Sequence, residues 1–198
     1  MMPESLVFFD VDTQMDFMLP SGSLYVKGAE EIVPNLRRLM AYARERNIPV
    51  LSSADAHTPD DPEFKVWPPH CVMGSRGQQR IKETLLPGAM TVSWHPGPFI
   101  PPQKWPQQII IEKDVYETAA NPKFDAILDA LGPRSYVVFG VATEYCVRAD
   151  VLSLRQRNRP VEVVVDAIKA ITEEGGRKAI EEMVGAGARL VKTAEVCS

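Results

Sequence analysis

Five β-favouring apolar residues, Tyr136 to Phe139 and Val141, broken only by Gly140, run straight into a stretch of different period. There Cys146, Val147, Ala149, Val151, Leu152 and Leu154 recur at three- and four-residue steps, with Arg148, Asp150, Arg155 and Arg157 between them. A continuous apolar run of this length reads as a strand buried on both faces, as in parallel sheets, and the change of period predicts a helix from about Glu144 or Tyr145. Cys146 then stands in the first turn of a helix at the carboxyl end of a buried strand. Free N–H groups and the positive end of the helix dipole meet there, which predicts a lowered thiol pKa and a place for an oxyanion beside the sulfur.

The rest of the chain repeats that alternation. Strands are expected at 6–11, 49–53, 109–111, 136–141, 161–165 and 189–193, with helices at 30–46, 122–131, from about 144, and from Thr172 to about 184. The predicted fold class is α/β: a three-layer α/β/α, Rossmann-like, mostly parallel six-stranded sheet with helices on both faces, in a single domain spanning 1–198. The segment 58–79 is rich in breakers and is expected to be a functional loop, and 81–86 a short helical turn. The proline-rich 94–106 reads as an active-site wall or an oligomer contact. With a net charge of −4 and no basic block, the chain is not expected to bind nucleic acid or an anionic membrane. No segment is long and apolar enough to span a bilayer. Three cysteines, Cys71, Cys146 and Cys197, suit a reducing cytoplasm rather than a disulfide framework.

Ligands of open parallel sheets bind beyond the carboxyl ends of the strands. Asp12, Lys113 and Cys146 all fall at such ends. An acid, a cation and a thiol suffice for nucleophilic attack on a carbonyl: the carboxylate takes the thiol proton and the ammonium stabilises negative charge. Asp55 and His57 follow the second strand two residues apart, and the loop beyond adds Glu63 and His70. Two imidazoles and carboxylate oxygens suit zinc, iron or manganese better than calcium. Asp10 reads as a hydrogen-bonded carboxylate, Cys71 as a packing residue and Cys197 as idle, while His95 is left without a role.

Five segments together resemble the nicotinamidase branch of the isochorismatase-like cysteine hydrolases: Asp12-Thr-Gln-Met-Asp16-Phe17, Asp55-Ala-His57, Trp67-Pro-Pro-His70-Cys71, Lys113, and Gly140-Val-Ala-Thr-Glu-Tyr-Cys146-Val. Met15 stands where relatives often carry Asn. The resemblance implies Asp12, Lys113 and Cys146 as catalytic triad, and a cis peptide at Val141–Ala142 that turns the Ala142 N–H, with that of Cys146, into an oxyanion hole. It further implies one divalent metal, zinc foremost, on Asp55, His57 and His70 with Glu63 in the variable ligand position, and Phe17, Trp67 and Tyr116 against a pyridine ring. The implied reaction is hydrolysis of nicotinamide, and of pyrazinamide, through a cysteine thioester in cytoplasmic NAD salvage, by an enzyme that can assemble as a homo-oligomer. A related amidohydrolase acting on a carbamoyl or ureido amide, and a non-catalytic metal-binding or redox-sensing protein, are the competing readings.

Overall fold

A computed structural model of the chain describes residues 6–198. Its centre is a sheet of seven strands, all paired in parallel: β1 (Leu6–Val11), β2 (Val50–Asp55), β3 (Met90–Val92), β4 (Gln108–Lys113), β5 (Ser135–Val141), β6 (Val161–Lys169) and β7 (Arg189–Val191), in the order β3-β4-β2-β1-β5-β6-β7. The strand missing from the expected six is β3. It is three residues long and pairs only with β4 at the sheet edge. Flanked by Pro87, Gly88 and Pro96, it is too short to show a period, and short edge strands resist pairing with other chains.

Helices α1 (Met15–Met18), α2 (Val33–Arg46), α3 (Phe124–Leu131), α4 (Arg148–Gln156), α5 (Glu173–Gly185) and α6 (Thr193–Val196) complete the fold. One core sits where α3, α4 and α5 cover one face of the sheet, with Phe124, Ile127, Val151, Leu154 and Met183 against Phe9, Leu51, Ile111 and Val138. The other lies under α2, where Leu36, Leu39 and Met40 meet Phe8, Val50, Val137 and Phe139. The alternation in β1 and β5 explains both, since neighbouring strand residues point to opposite faces. No described helix is long and apolar enough to cross a membrane.

Several expected boundaries move. The helix predicted over 30–46 is a 3-10 turn, Ala29–Ile32, followed by α2, with Pro34 in its first turn as proline's fixed φ allows. The predicted start of the Cys146 helix is instead a π-helical turn, Thr143–Val147, and α4 begins only at Arg148. The Ala142 carbonyl accepts from the N–H groups on either side of Cys146, those of Tyr145 at 3.1 Å and Val147 at 3.2 Å. Periodicity cannot distinguish the two, because one π turn shifts the apolar stripe by a single residue.

Candidate active site

The chain reaches β2 from one side of β1 and β5 from the other, so the reversal of strand order falls between β1 and β5. That is where an open parallel sheet leaves a crevice. Asp12 follows β1 and Cys146 follows β5, flanking it. Asp55 ends β2, and Lys113 ends β4 in register with Asp55. The long Lys113 stem reaches back across β2. Its Nζ lies 2.8 Å from Asp12 Oδ2 and 3.6 Å from Cys146 Sγ, and it also donates a hydrogen bond to Asp55 Oδ1. Donor atoms of Asp12, Asp55 and Cys146 all lie within 4.8 Å of one another. The three strand ends therefore converge as the sequence predicts.

The charge balance differs from the expectation at Cys146. Burial pushes its thiol well above the ordinary value, and the opposing Lys113 charge does not overcome it. Burial also raises Asp12, against the pull of Lys113. For Lys113 burial acts downward, but Asp12 and Asp55 outweigh it and hold the ammonium well above its usual range. Burial thus favours the protonated thiol over a preformed thiolate. Desolvation of a sulfur that is only 6% exposed outweighs the helix dipole, which acts within one turn.

Asp55, His57 and His70 are the second cluster, also within 4.8 Å of one another. His57 Nδ1 is engaged by Asp61 Oδ2 at 3.0 Å, and His70 Nδ1 by the Pro68 carbonyl at 2.8 Å. Both Nε2 atoms therefore point inward, and buried His57 Nε2 has no hydrogen-bond partner. Burial acts downward on His57, but Asp55 and Asp61 outweigh it and push the imidazole up to about 9 when no cation sits there. The two Nε2 atoms stand 3.6 Å and 3.7 Å from Asp55 Oδ2, too far for hydrogen bonds. Donors around a tetrahedral ion at about 2.0–2.1 Å sit roughly 3.4 Å apart, so the spacing fits a shared cation. Glu63 Oε1 lies 3.9 Å from His70 Nε2, at the edge of the group. Asp61, whose contact fixes the His57 tautomer, was not predicted from the sequence. A histidine ligand commonly carries such an outer carboxylate.

Both clusters contribute side chains to one small pocket of about 30 Å³. Cys146, Ala142, Asp55, His70 and Glu63 line it with Phe17, Trp67 and Tyr116. The Val141–Ala142 peptide is cis, as the resemblance implies. Leu24, Val26, Tyr145 and Ile171 complete the wall. Tyr145 packs edge-on to Trp67, with centroids 5.5 Å apart, and the Trp67 indole N–H donates to the Tyr116 hydroxyl at 3.0 Å.

Several polar residues hold this arrangement without lining the pocket. Gln14 clamps the Asp55 backbone, donating to its carbonyl and accepting from its N–H, each at 2.8 Å. Asp16 accepts from Cys71 N–H at 2.8 Å and Ser23 N–H at 2.9 Å, fixing the chain next to His70. A side chain at Gly77 would meet the Asp16 carboxylate at 2.0 Å, so only glycine fits. Asp10 is buried in an ion pair with Arg80, in keeping with a satisfied carboxylate.

One carboxylate near the centre predicts a pH effect. Burial pushes Asp150 up to about 8, although Lys113 and two hydrogen bonds from Thr118, at 2.7 Å and 2.8 Å, act the other way. The fold therefore favours the protonated form. Its stabilisation is complete below the unfolded value of 3.8 and is lost as pH rises towards 8. Asp150→Asn keeps both Thr118 partners and cannot ionise. Urea unfolding at pH 5 and pH 8 should show a smaller loss of stability with pH in the variant than in the natural chain.

The chain matches the Isochorismatase domain family over residues 6–195. It belongs to the isochorismatase family. Over 98% of its length it is 25% identical to the nicotinamidase of Escherichia coli (strain K12), covering 97% of that protein. It is 28% identical to a probable inactive nicotinamidase of Arabidopsis thaliana, over 83% of this chain and 80% of that protein. Among solved structures it is similar to a pyrazinamidase of Pyrococcus horikoshii in complex with zinc. That match has a TM-score of 0.81 and 27% identity, and covers 95% of this chain and 99% of the other. Membership in the isochorismatase family accounts for the parallel sheet; the chemistry has to be argued from the pocket.

Proposed function

We propose that this protein hydrolyses nicotinamide to nicotinate and ammonia, as a cysteine amidohydrolase of NAD salvage. The observation that carries the reading is that Cys146, with Lys113 and Asp12 beside it, lines one pocket together with Asp55 and His70 of the cation-competent cluster and with Phe17 and Trp67. A flat aromatic amide suits such walls, since its ring can stack on the aromatic side chains with its carboxamide towards the sulfur. Asp55, His57 and His70, with Glu63 beside them, would hold a divalent metal, which would supply Lewis-acid binding of the substrate.

The protein's own residues carry the steps. Asp12 takes the Cys146 thiol proton as sulfur attacks the carboxamide carbon. Its raised pKa and the raised thiol pKa make this transfer part of the attack rather than a prior ionisation. The oxyanion forms beside the N–H groups of Ala142 and Cys146, where each donor is worth about 3 kcal/mol. Lys113 holds Asp12 and the developing negative charge in place. Asp12 returns the proton to nitrogen, the C–N bond breaks and ammonia leaves. Asp12 then takes a proton from water, whose oxygen attacks the thioester carbon, and the C–S bond breaks to give nicotinate and the thiol.

Ammonia release from nicotinamide by the purified, metal-loaded protein tests this, with pyrazinamide and N-carbamoyl amides alongside. Turnover of nicotinamide is expected; turnover confined to carbamoyl or ureido amides would assign the pocket to that other amidohydrolase class. His57→Ala is expected to lower the bound metal, read by elemental analysis, and to raise KM roughly tenfold or more, in line with losing a metal ligand. Full metal occupancy in the variant would remove His57 from the ligand set.

A further inference from the structure

Asp12 holds an unusual backbone conformation, with φ of 47°, in the left-handed region that non-glycine residues seldom adopt. Such conformations persist where the surroundings hold them, and they concentrate at functional positions. Gln14 N–H donates to the Asp12 carbonyl at 2.7 Å, and one hydroxyl group holds the rest of the residue. The Asp12 N–H donates to Ser53 Oγ at 3.2 Å, and the Ser53 hydroxyl donates to Asp12 Oδ1 at 2.6 Å. One oxygen thus grips the backbone and the side chain of the same residue, closing a ring that fixes both. Ser53 and Asp12 are fully buried, so water cannot substitute. Ser53 is itself fixed on β2, where its carbonyl accepts from Arg80 Nη1 at 2.6 Å.

The consequence lies at the other carboxylate oxygen. Asp12 Oδ2 is buried, accepts no hydrogen bond of good geometry, and lies 2.8 Å from Lys113 Nζ, which is itself 3.6 Å from Cys146 Sγ. We propose that Ser53 is a positioning residue for the reaction: its hydroxyl commits Oδ1 and so reserves Oδ2 for the proton of the Cys146 thiol. Without that hydroxyl, Oδ1 and the Asp12 N–H both lose their partner, and the carboxylate is free to turn both oxygens towards the Lys113 ammonium. Ser53 does not line the pocket, so ground-state binding of the amide is untouched. The inference rests on the proposed reaction in taking Asp12 as the proton acceptor.

Ser53→Ala and Ser53→Thr in the metal-loaded protein test it. Misplacing a catalytic group by about 1 Å can cost roughly 100-fold, so Ser53→Ala is expected to lower kcat about 10- to 100-fold with KM within about twofold. Metal content should be unchanged, and Ser53→Thr, which restores the hydroxyl, should recover most of kcat. A second readout needs no substrate: alkylation of Cys146 by iodoacetamide at fixed pH, followed on the Cys146 peptide by mass spectrometry. It should slow in Ser53→Ala and recover in Ser53→Thr. Slower alkylation in a protein that does not turn over nicotinamide would sink the nicotinamidase reading and support the positioning role. Unchanged kcat and alkylation in Ser53→Ala, a loss that tracks lost metal, or a threonine variant as impaired as the alanine one would each overturn it.

Discussion

Cys146→Ala is expected to lower ammonia release by roughly 10⁴-fold or more, in line with the removal of other catalytic nucleophiles, while nicotinamide still binds. The Phe17, Trp67 and Tyr116 walls and the Asp55, His57 and His70 cluster come from other segments, so KM for the residual reaction and metal content should stay near those of the natural chain. The change removes one buried sulfur from the edge of the core, so its effect on stability is small beside its effect on rate. Steady-state ammonia release and elemental analysis on the same sample check both halves. Residual activity within about tenfold of the natural protein would mean that Cys146 is not the attacking group, since nucleophile loss is never so mild.

The largest expected effect on stability lies one layer beneath, at Arg80. Its Nη2 donates to Asp10 and, at 2.7 Å, to Thr13 Oγ1, while Nη1 donates to the Ser53 carbonyl. Asp10 is fully buried, and burial raises its pKa against the lowering effect of Arg80. Removing one partner of a buried pair leaves the other uncompensated, at a cost of about 3–5 kcal/mol. Arg80→Met should therefore lower the urea midpoint by that equivalent at pH 7, with little change in m. The deficit should shrink in acid, because the stranded Asp10 is raised further and its protonation relieves the isolated charge. Asp10→Asn combined with Arg80→Met should recover much of the loss. A loss below about 1 kcal/mol for Arg80→Met at pH 7 would contradict the account, being the size expected of an exposed pair.

The same residues show what can and cannot be read from a sequence of this kind. Asp12, Lys113 and Cys146 were legible because each ends a strand, and a parallel sheet gathers strand ends whatever their distance along the chain. Asp55, His57 and His70 were legible because their side chains are metal ligands and stand beside a strand or in one loop. The direction of the Cys146 shift was not, since position at a helix start is local while burial depends on every neighbour. Ser53 and Arg80 were silent for another reason. A serine inside a strand and an arginine at the end of a loop are usually solvated, and only the pairing of β1 with β2 for Ser53, and the antiparallel bridge between Gln14 and Arg80 for Arg80, bring them beside Asp12. Asp10 posed a question that Arg80, 70 residues away, answers. From the sequence Tyr145 is only a candidate helix start, whereas the π turn brings it to the pocket wall.

The central claim is that the amide carbon passes through a covalent bond to one sulfur. Rapid acid quenching during nicotinamide turnover, followed by mass analysis of the Cys146 peptide, measures that directly. The account predicts a nicotinoyl group on Cys146, formed within one turnover and absent from Cys71 and Cys197. Sustained ammonia release with Cys146 unmodified at every quench time, and no nicotinohydroxamate formed when hydroxylamine is present, would contradict it.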